Sequence, residues 1–307
     1  MSLTPVQRRL LNSGASIMGE DANDLAFLHV IMAQVCLPYR DVPSRDYIRR
    51  TGRASLVITA GFLNEPNTGL PALQGIPYGA KPRLLMLHLC TQAVRRQSPI
   101  VEVADSMTAF MREVGIAATG GAHGSIARFK AQLNRLAAAR MQFFMDYGDR
   151  KRTMNPAPLI REFDVWFPAD PRQRIMWSSE VRLSDEFFAS LRENALPLNP
   201  EAFGALQHSA RALDIYTWLA HRLPRVREAN GASISWGALQ EQFAPDLGDL
   251  RDVRRKMLVA LRQVLTVYPA ARVEQVPGGI KLYRSLPPIR PLVVPGTRLA
   301  GGDKAGG

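Results

Sequence analysis

Histidines, cysteines and arginines at helical spacing are the side chains from which this chain could build a chemistry, and the first two build none. His29, His88, His123, His208 and His221 stand singly. No His-x-His pair is present to hold a metal beside a nucleophilic tyrosine, which strand cleavage of the nickase kind needs. Cys36 and Cys90 form no CxxC pair and have no histidine at ligand spacing, so neither a zinc site nor a disulfide framework is supported. Both are expected to be reduced, buried small hydrophobes. No glycine-rich phosphate loop ending in Gly-Lys-Ser or Gly-Lys-Thr is present, which leaves ATP hydrolysis of that kind unsupported. The expectation is a protein with no catalytic residues, no metal and no cofactor, and not an enzyme.

The arginines are patterned. Between Leu250 and Leu265, the residues Leu250, Val253, Met257, Leu258, Leu261, Val264 and Leu265 recur at helical spacing, and Arg251, Arg255 and Arg262 line the solvent edge of that stripe. Ser125 to Arg140 repeats the pattern. There Ile126, Phe129, Leu133, Leu136 and Ala137 share one face, and Ser125, Arg128, Gln132 and Arg135 are expected to lie away from it. A basic rim on an amphipathic helix fits a polyanion, where arginine binds phosphate or the edge of a guanine. The whole chain agrees: Lys plus Arg outnumber Asp plus Glu by 39 to 27, for a net charge of +12. That excess favours nucleic acid or an anionic membrane surface. No run of 18 or more apolar residues appears and the N-terminus lacks the apolar core of a signal peptide, so the expectation is a cytoplasmic protein with no membrane partner.

The elements that must position these helices can be read in order. Thr4 to Asn12 makes a short basic helix. Leu25 to Leu37 fits a buried strand or a core helix equally well, and Ala54 to Gly61 is a strand before a loop at Asn64 to Gly75. A helix runs from Gly79 to Arg96, then a strand from Pro99 to Val103, then a helix from Met107 to Val114 capped by Asp105 or Ser106. Ser125 to Arg140 follows, with a strand at Met141 to Tyr147 and a turn at Gly148-Asp149. Strands at Glu162 to Phe167 and Arg174 to Leu183 lead to a helix capped by Ser184. After Pro197 to Pro200 comes a helix from Gly204 ended by Pro224, a strand at Ser233 to Trp236, a helix from Gly237 to Phe243, and the basic helix from Leu250. Ala271 to Gln275 and Ile280 to Arg284 close on a turn at Pro277-Gly278-Gly279.

Set side by side, these passages repeat one order at an offset of roughly 125 to 130 residues: long helix, short strand, short helix, turn, basic helix, hairpin. The fold class expected is α+β with two tandem winged-helix domains. Residues 1–24 are an N-terminal arm, 25–196 the first winged helix with extra strands, 197–290 the second, and 291–307 a disordered tail. In such a fold the helix enters the major groove and the hairpin lies on neighbouring backbone. The DNA-binding candidates are then Ser125, Arg128, Gln132, Arg135, Arg251, Arg255 and Arg262. Asp214, in an apolar helix, is expected to pair with an arginine such as Arg211 or Arg255, and Trp218 and Trp236 to be core aromatics. His88 and His208 are expected to be helix residues satisfied by backbone or solvent.

Several runs are also familiar as a set. Leu213-Asp214-Ile215-Tyr216-Thr217-Trp218-Leu219-Ala220, Trp236 with Glu241-Gln242-Phe243, and Val267-Tyr268-Pro269 resemble the plasmid-encoded RepA replication initiator family. So do Pro77-Tyr78-Gly79 with Pro82-Arg83-Leu84, and Phe163-Asp164 with Trp166-Phe167. The similarity covers roughly Leu25 to Ile289, chiefly at core and scaffold positions. The resemblance implies an initiator that binds double-stranded plasmid origin DNA, opens or marks it, and recruits host replication proteins. It assigns no DNA-facing residue. A DNA-binding repressor or autoregulator is the alternative, and a strand-cleaving initiator the rival that the unpaired histidines disfavour. Direct repeats would suit a monomer, and a palindrome would require a homodimer with its own two-fold interface.

Overall fold

Small polar residues set most helix starts, because their side chains take up amide groups that a first helical turn leaves unpaired. Ser106 accepts from the Ala109 amide at 3.2 Å, Asn199 from Ala202 at 2.9 Å, Ser209 from Ala212 at 3.2 Å, and Asp249 from Arg251 at 2.8 Å. Ser106, one of the two expected caps, caps its helix. The structure, a computed structural model, describes residues 3–19, 24–65, 68–104, 106–121, 124–146, 151–154, 159–164 and 179–289. The expected tail, the Gly148-Asp149 turn, Trp166-Phe167, the start of the 174–183 strand, His123 and Asp105 lie outside the described residues.

In chain order the elements are α1 (Pro5–Gly19), β1 (Ala26–His29), β2 (Asp46–Thr51), β3 (Ala54–Thr59), β4 (Phe62–Asn64), β5 (Pro71–Leu73) and α2 (Ala80–Arg96). Then come β6 (Ile100–Val103), α3 (Met107–Glu113), α4 (Ser125–Ala138), β7 (Arg140–Asp146), β8 (Lys151–Met154), β9 (Ile160–Asp164), β10 (Ser179–Leu183), α5 (Asp185–Glu193) and β11 (Ala195–Leu198). The chain closes with α6 (Pro200–Ala205), α7 (Ala210–Arg222), β12 (Ala232–Ser235), α8 (Trp236–Phe243), α9 (Leu250–Val267), β13 (Val273–Val276) and β14 (Gly279–Leu282). The class is mixed helix and strand, α+β as expected. The ambiguous stretch from Leu25 resolves into both alternatives, β1 followed by a short 3-10 turn at Val30–Ala33.

The late elements carry the expected order closely. A three-stranded antiparallel sheet β12-β14-β13 backs α8 and α9, with Ile234 and Gln275 both opposite Ile280. The hairpin turns on Pro277 and Gly278, whose φ of 83° needs glycine; the turn is one residue shorter than the sequence indicates, since Gly279 already pairs with Val276. Gly279 is required for another reason: a Cβ there would stand 1.9 Å from the Ile234 carbonyl oxygen.

The early elements keep the order and change the pairing. The strand β6 does not join the β7-β8 hairpin but pairs with β10, Val101 opposite Val181, and β7 pairs with β3 in a four-stranded sheet β2-β3-β7-β8. The reason lies in the side chains. Leu56 and Ile58 of β3 are fully buried, and Phe143 and Met141 stand opposite them in β7 to complete that face. The repeat is therefore one of element order and not of sheet architecture.

A single buried cluster runs from Leu10 of α1 to Leu282 of β14, across the expected boundary at 196/197, where β11 pairs with β1. The N-terminal stretch is longer and better anchored than a free arm. Its Leu10 is buried, Ser16 donates to Glu201 at 2.9 Å, Arg9 donates to the Ala205 carbonyl at 3.2 Å, and Gly14 lies against the Thr266 carbonyl of α9.

The join between α2 and α7 is ionic. Arg83, 3% exposed, gives Nε and Nη2 to the two oxygens of Asp214, each at 2.7 Å, and its remaining donors reach the carbonyls of Gly79, Leu37 and Pro38. This corrects the expected partner of Asp214. Arg211 instead stacks over Tyr39, whose ring also faces Arg83. Cys36 and Cys90 are free and buried, as expected.

Three of the described histidines, His29, His88 and His208, pack or bond within the fold. His29 accepts the Ile31 amide at Nδ1, so its Nε2 carries the proton given to Ser190 at 3.0 Å. His208 accepts from Arg9 at 3.0 Å. His88 departs from expectation: its buried Nε2 has no hydrogen-bond partner among the described residues, and its ring packs edge-on to Phe110. Burial, aided by Arg95 and Arg96, lowers its pKa to about 4. The ring is therefore neutral at pH 7, and the 3.7 Å approach of Glu113 is a contact and not an ion pair.

Candidate nucleic-acid interface

The helix α9 is positioned by its own pattern. Val253, Met257, Ala260, Leu261, Val264 and Val267 are buried against the core, while Leu258 and Leu265 are half-buried. Leu250, counted in the stripe by spacing, is 50% exposed, because it opens the helix before the face meets the core. Arg251, Arg254, Arg255 and Arg262 are exposed. Arg255 reaches Asp252 at 2.8 Å, and that hydrogen bond, with the guanidinium charge, lowers the Asp252 pKa. The pair is more than half exposed on the arginine side and close to that on the aspartate side, so it contributes little stability and can exchange for a phosphate contact.

The hairpin adds cations to the same unit. Arg272 and Arg284 are exposed beside the strands, and Lys281 lies within β14. The Arg272 guanidinium and the Lys281 ammonium stand 5.3 and 5.7 Å from the centre of the Tyr283 ring, and Tyr283 donates to Glu274 at 2.7 Å. The ring thus holds two cations where the central strand β14 ends. Arg254, Arg272, Lys281 and Arg284 were not singled out by spacing. Arg254 was legible as the i+3 neighbour of Arg251, but the hairpin residues needed the register.

The helix α4 is different. Of its four candidates, Arg128 is exposed, and it depresses the pKa of Lys81 secondarily to burial. Ser125 is half-buried and ties down the preceding loop, accepting from the Thr119 amide at 2.8 Å and donating to the Ala117 carbonyl at 2.6 Å. Gln132 does not lie away from the apolar face: it is 7% exposed and accepts the Tyr78 amide at 2.8 Å. Arg135 turns back onto the chain, donating to Asp41 at 2.6 Å and to the Ile76 carbonyl at 3.1 Å, with its guanidinium over Tyr78. Its hydrogen bond holds the Asp41 carboxyl below the usual range. A helical wheel fails here because the 74–79 segment packs over that side of α4 and supplies polar backbone that Gln132 and Arg135 satisfy.

Gln132→Ala should therefore behave as a stability variant. Leaving the Tyr78 amide without its acceptor is expected to cost about 1–3 kcal/mol. Denaturant melts should show that loss, while DNA affinity below the transition stays at the parent value. An unchanged melt with weakened binding would make Gln132 a contact residue instead.

Fold and site together define a mixed α+β protein that exposes a row of arginines along one helix and at the hairpin after it, with a second helix of similar context whose Gln132 and Arg135 are turned to structural duty. A family model for plasmid encoded RepA protein matches residues 76–238, just over half of the chain, and the chain belongs to that family. No curated protein and no solved structure matches it.

The matched span contains the scaffold. Within it, Tyr78 and Gly79 meet Gln132 and Arg83, and Arg83 meets Asp214. Tyr216 accepts the Asn199 amide at 3.1 Å, and Trp218, 7% exposed, packs edge-on to Phe243 at 5.3 Å. Trp236 is half-buried against the core. The span ends before α9 and its hairpin, so the exposed arginines of that unit lie beyond it.

Proposed function

We propose that this chain is a plasmid replication initiator that binds double-stranded origin DNA sequence-specifically, with the unit from α7 to β14 acting as a winged helix. The carrying observation is the juxtaposition on one unit of the exposed arginines of α9 with Arg272, Lys281 and Arg284 of the hairpin. A helix in the major groove and a hairpin on flanking phosphates use cations in those two places. The unit containing α4 acts as a second, weaker winged helix through Arg128. With Gln132 and Arg135 engaged inward, it contributes less to binding than α9, and the bound initiator recruits host replication proteins to the origin. The activity is binding without strand cleavage. Binding to a promoter overlapping the site makes the same protein an autoregulator.

The test is footprinting on origin DNA with the parent, the Arg251→Ala/Arg255→Ala/Arg262→Ala variant and Arg128→Ala. The triple variant is expected to lose protection throughout the site, and Arg128→Ala to lose it at one end. Protection by the triple variant equal to that of the parent would remove α9 as the reading helix. Nicking of supercoiled origin plasmid with divalent metal would overturn the non-enzymatic reading.

A further inference from the structure

Between α2, the end of α3 and α6 lies a cavity of about 200 Å³. Leu84 and Leu87 of α2 and Phe203 of α6 give it an apolar wall, and Gly204 lines it at a point where a Cβ would meet no atom within 4 Å. An apolar cavity of about 150 Å³ accommodates a benzene ring. The space is thus sized for a ligand of one ring or a short aliphatic chain.

His88 also lines the cavity, with its side chain 9% exposed and its Nε2 without a hydrogen-bond partner among the described residues. Leaving a buried polar nitrogen unpaired is costly, and a ligand that completes its bond recovers that cost. Glu113 Oε2 stands 3.7 Å from this nitrogen, beyond hydrogen-bond reach, on a side chain 47% exposed at the end of α3 that can swing to admit a group between the two. The charge of the lining selects that group. Its ionised side chains are the carboxylates of Asp24 and Glu113 and the guanidinium of Arg95, two negative against one positive, and the His88 ring is neutral. Arg95 pairs with Asp24 on the exposed side. Arg96, the other cation that bears on His88, is outside the lining and bonds Glu102 at 2.6 Å. An anion is disfavoured in such a lining, whereas an ammonium finds two acceptors, a carboxylate and the lone pair of a neutral imidazole.

We propose that this cavity binds a small primary amine, its ammonium donating to His88 Nε2 and to the Glu113 carboxylate and its apolar body lying against Leu84, Leu87 and Phe203. His88 then keeps its own proton on Nδ1. The described lining includes none of the α9 or hairpin cations, so occupancy is read without DNA. Because the walls come from α2, α3 and α6, a bound amine ties three helices together and stabilises the folded chain by mass action.

Calorimetric titration of benzylamine into the full chain near neutral pH tests this. Saturable one-to-one binding and a raised melting temperature are expected, with benzyl alcohol and benzoate each bound about tenfold more weakly or worse. Glu113→Gln, which removes the charge and keeps the shape, should weaken benzylamine by about tenfold or more. Gly204→Leu should abolish binding by filling the space, and His88→Phe by removing Nε2 while keeping a ring; circular dichroism checks that each variant keeps the fold. Absence of saturable binding, benzyl alcohol bound as well as benzylamine, or folded variants that bind like the parent would each overturn the proposal. Zinc ion bound through His88 and Glu113, with benzylamine unbound, would make the pair a metal site and overturn it as well.

Discussion

Affinity for double-stranded origin DNA should fall about 10³-fold as salt rises from about 50 to about 200 mM. The expectation follows from the α9 and hairpin cations. About six phosphate contacts release their counterions on binding, and the logarithm of affinity then falls with a slope near −0.9 per contact against the logarithm of salt. Arg251, Arg254, Arg255, Arg262, Arg272, Lys281 and Arg284 can supply that number without any help from α4. Replacing a phosphate-contacting residue among them should weaken every sequence alike and reduce the slope by about one. Replacing one that forks onto a guanine should cost about 1–3 kcal/mol and relax preference at that base pair only. Filter or fluorescence titration over the salt range measures both. A flat response would remove nucleic acid as the partner of this surface.

Asp214→Ala should cost about 3–5 kcal/mol of folding stability, the usual penalty for leaving one member of a buried ion pair without the other. Arg83 cannot shed its proton, and its other contacts are carbonyl oxygens that do not neutralise it. The Arg83→Met/Asp214→Leu double variant removes the charge together with its partner and should lose much less. Denaturant unfolding of parent, single and double variants gives the comparison. Equal losses in the single and double variants would mean that shape, and not charge, holds α2 to α7.

How much of this was legible in the sequence depended on what each residue faced. Elements whose amphipathic stripe meets the core directly, such as α9, or whose cap is a lone serine, such as α5, could be placed within a few residues, whereas the helix expected from Gly204 is interrupted and α7 starts at Ala210 under a Ser209 cap. The pairing of β6 was not legible, since Val101 and Val103 offer an apolar alternation that β7 and β10 could each have matched. The strands β2 and β5 were missed because Asp46, Arg49, Arg50 and Pro71 lack strand-like composition, and their ladders come from neighbours. Asp214 announced a buried acid, but its partner stands 131 residues earlier in the chain, at a distance no spacing rule covers. Gln132 and Arg135 misled for a related reason: polar side chains that serve the backbone of another segment look, on a helical wheel, like a solvent face.

The two thiols make the molecule its own clock. Burial first, and then the Asp214 carboxylate, push the Cys36 thiol well above its ordinary range; burial pushes Cys90 up to about 12. Both thiols are buried, Cys36 3% and Cys90 1% exposed, so an alkylating reagent reaches neither until something parts. Cys36 sits beside the Arg83–Asp214 join and Cys90 on the buried side of α2. Labelling at Cys36 therefore times the separation of α2 from α7, and labelling at Cys90 times the lifting of α2 from the core. Each is a native reporter of how long the protein stays shut.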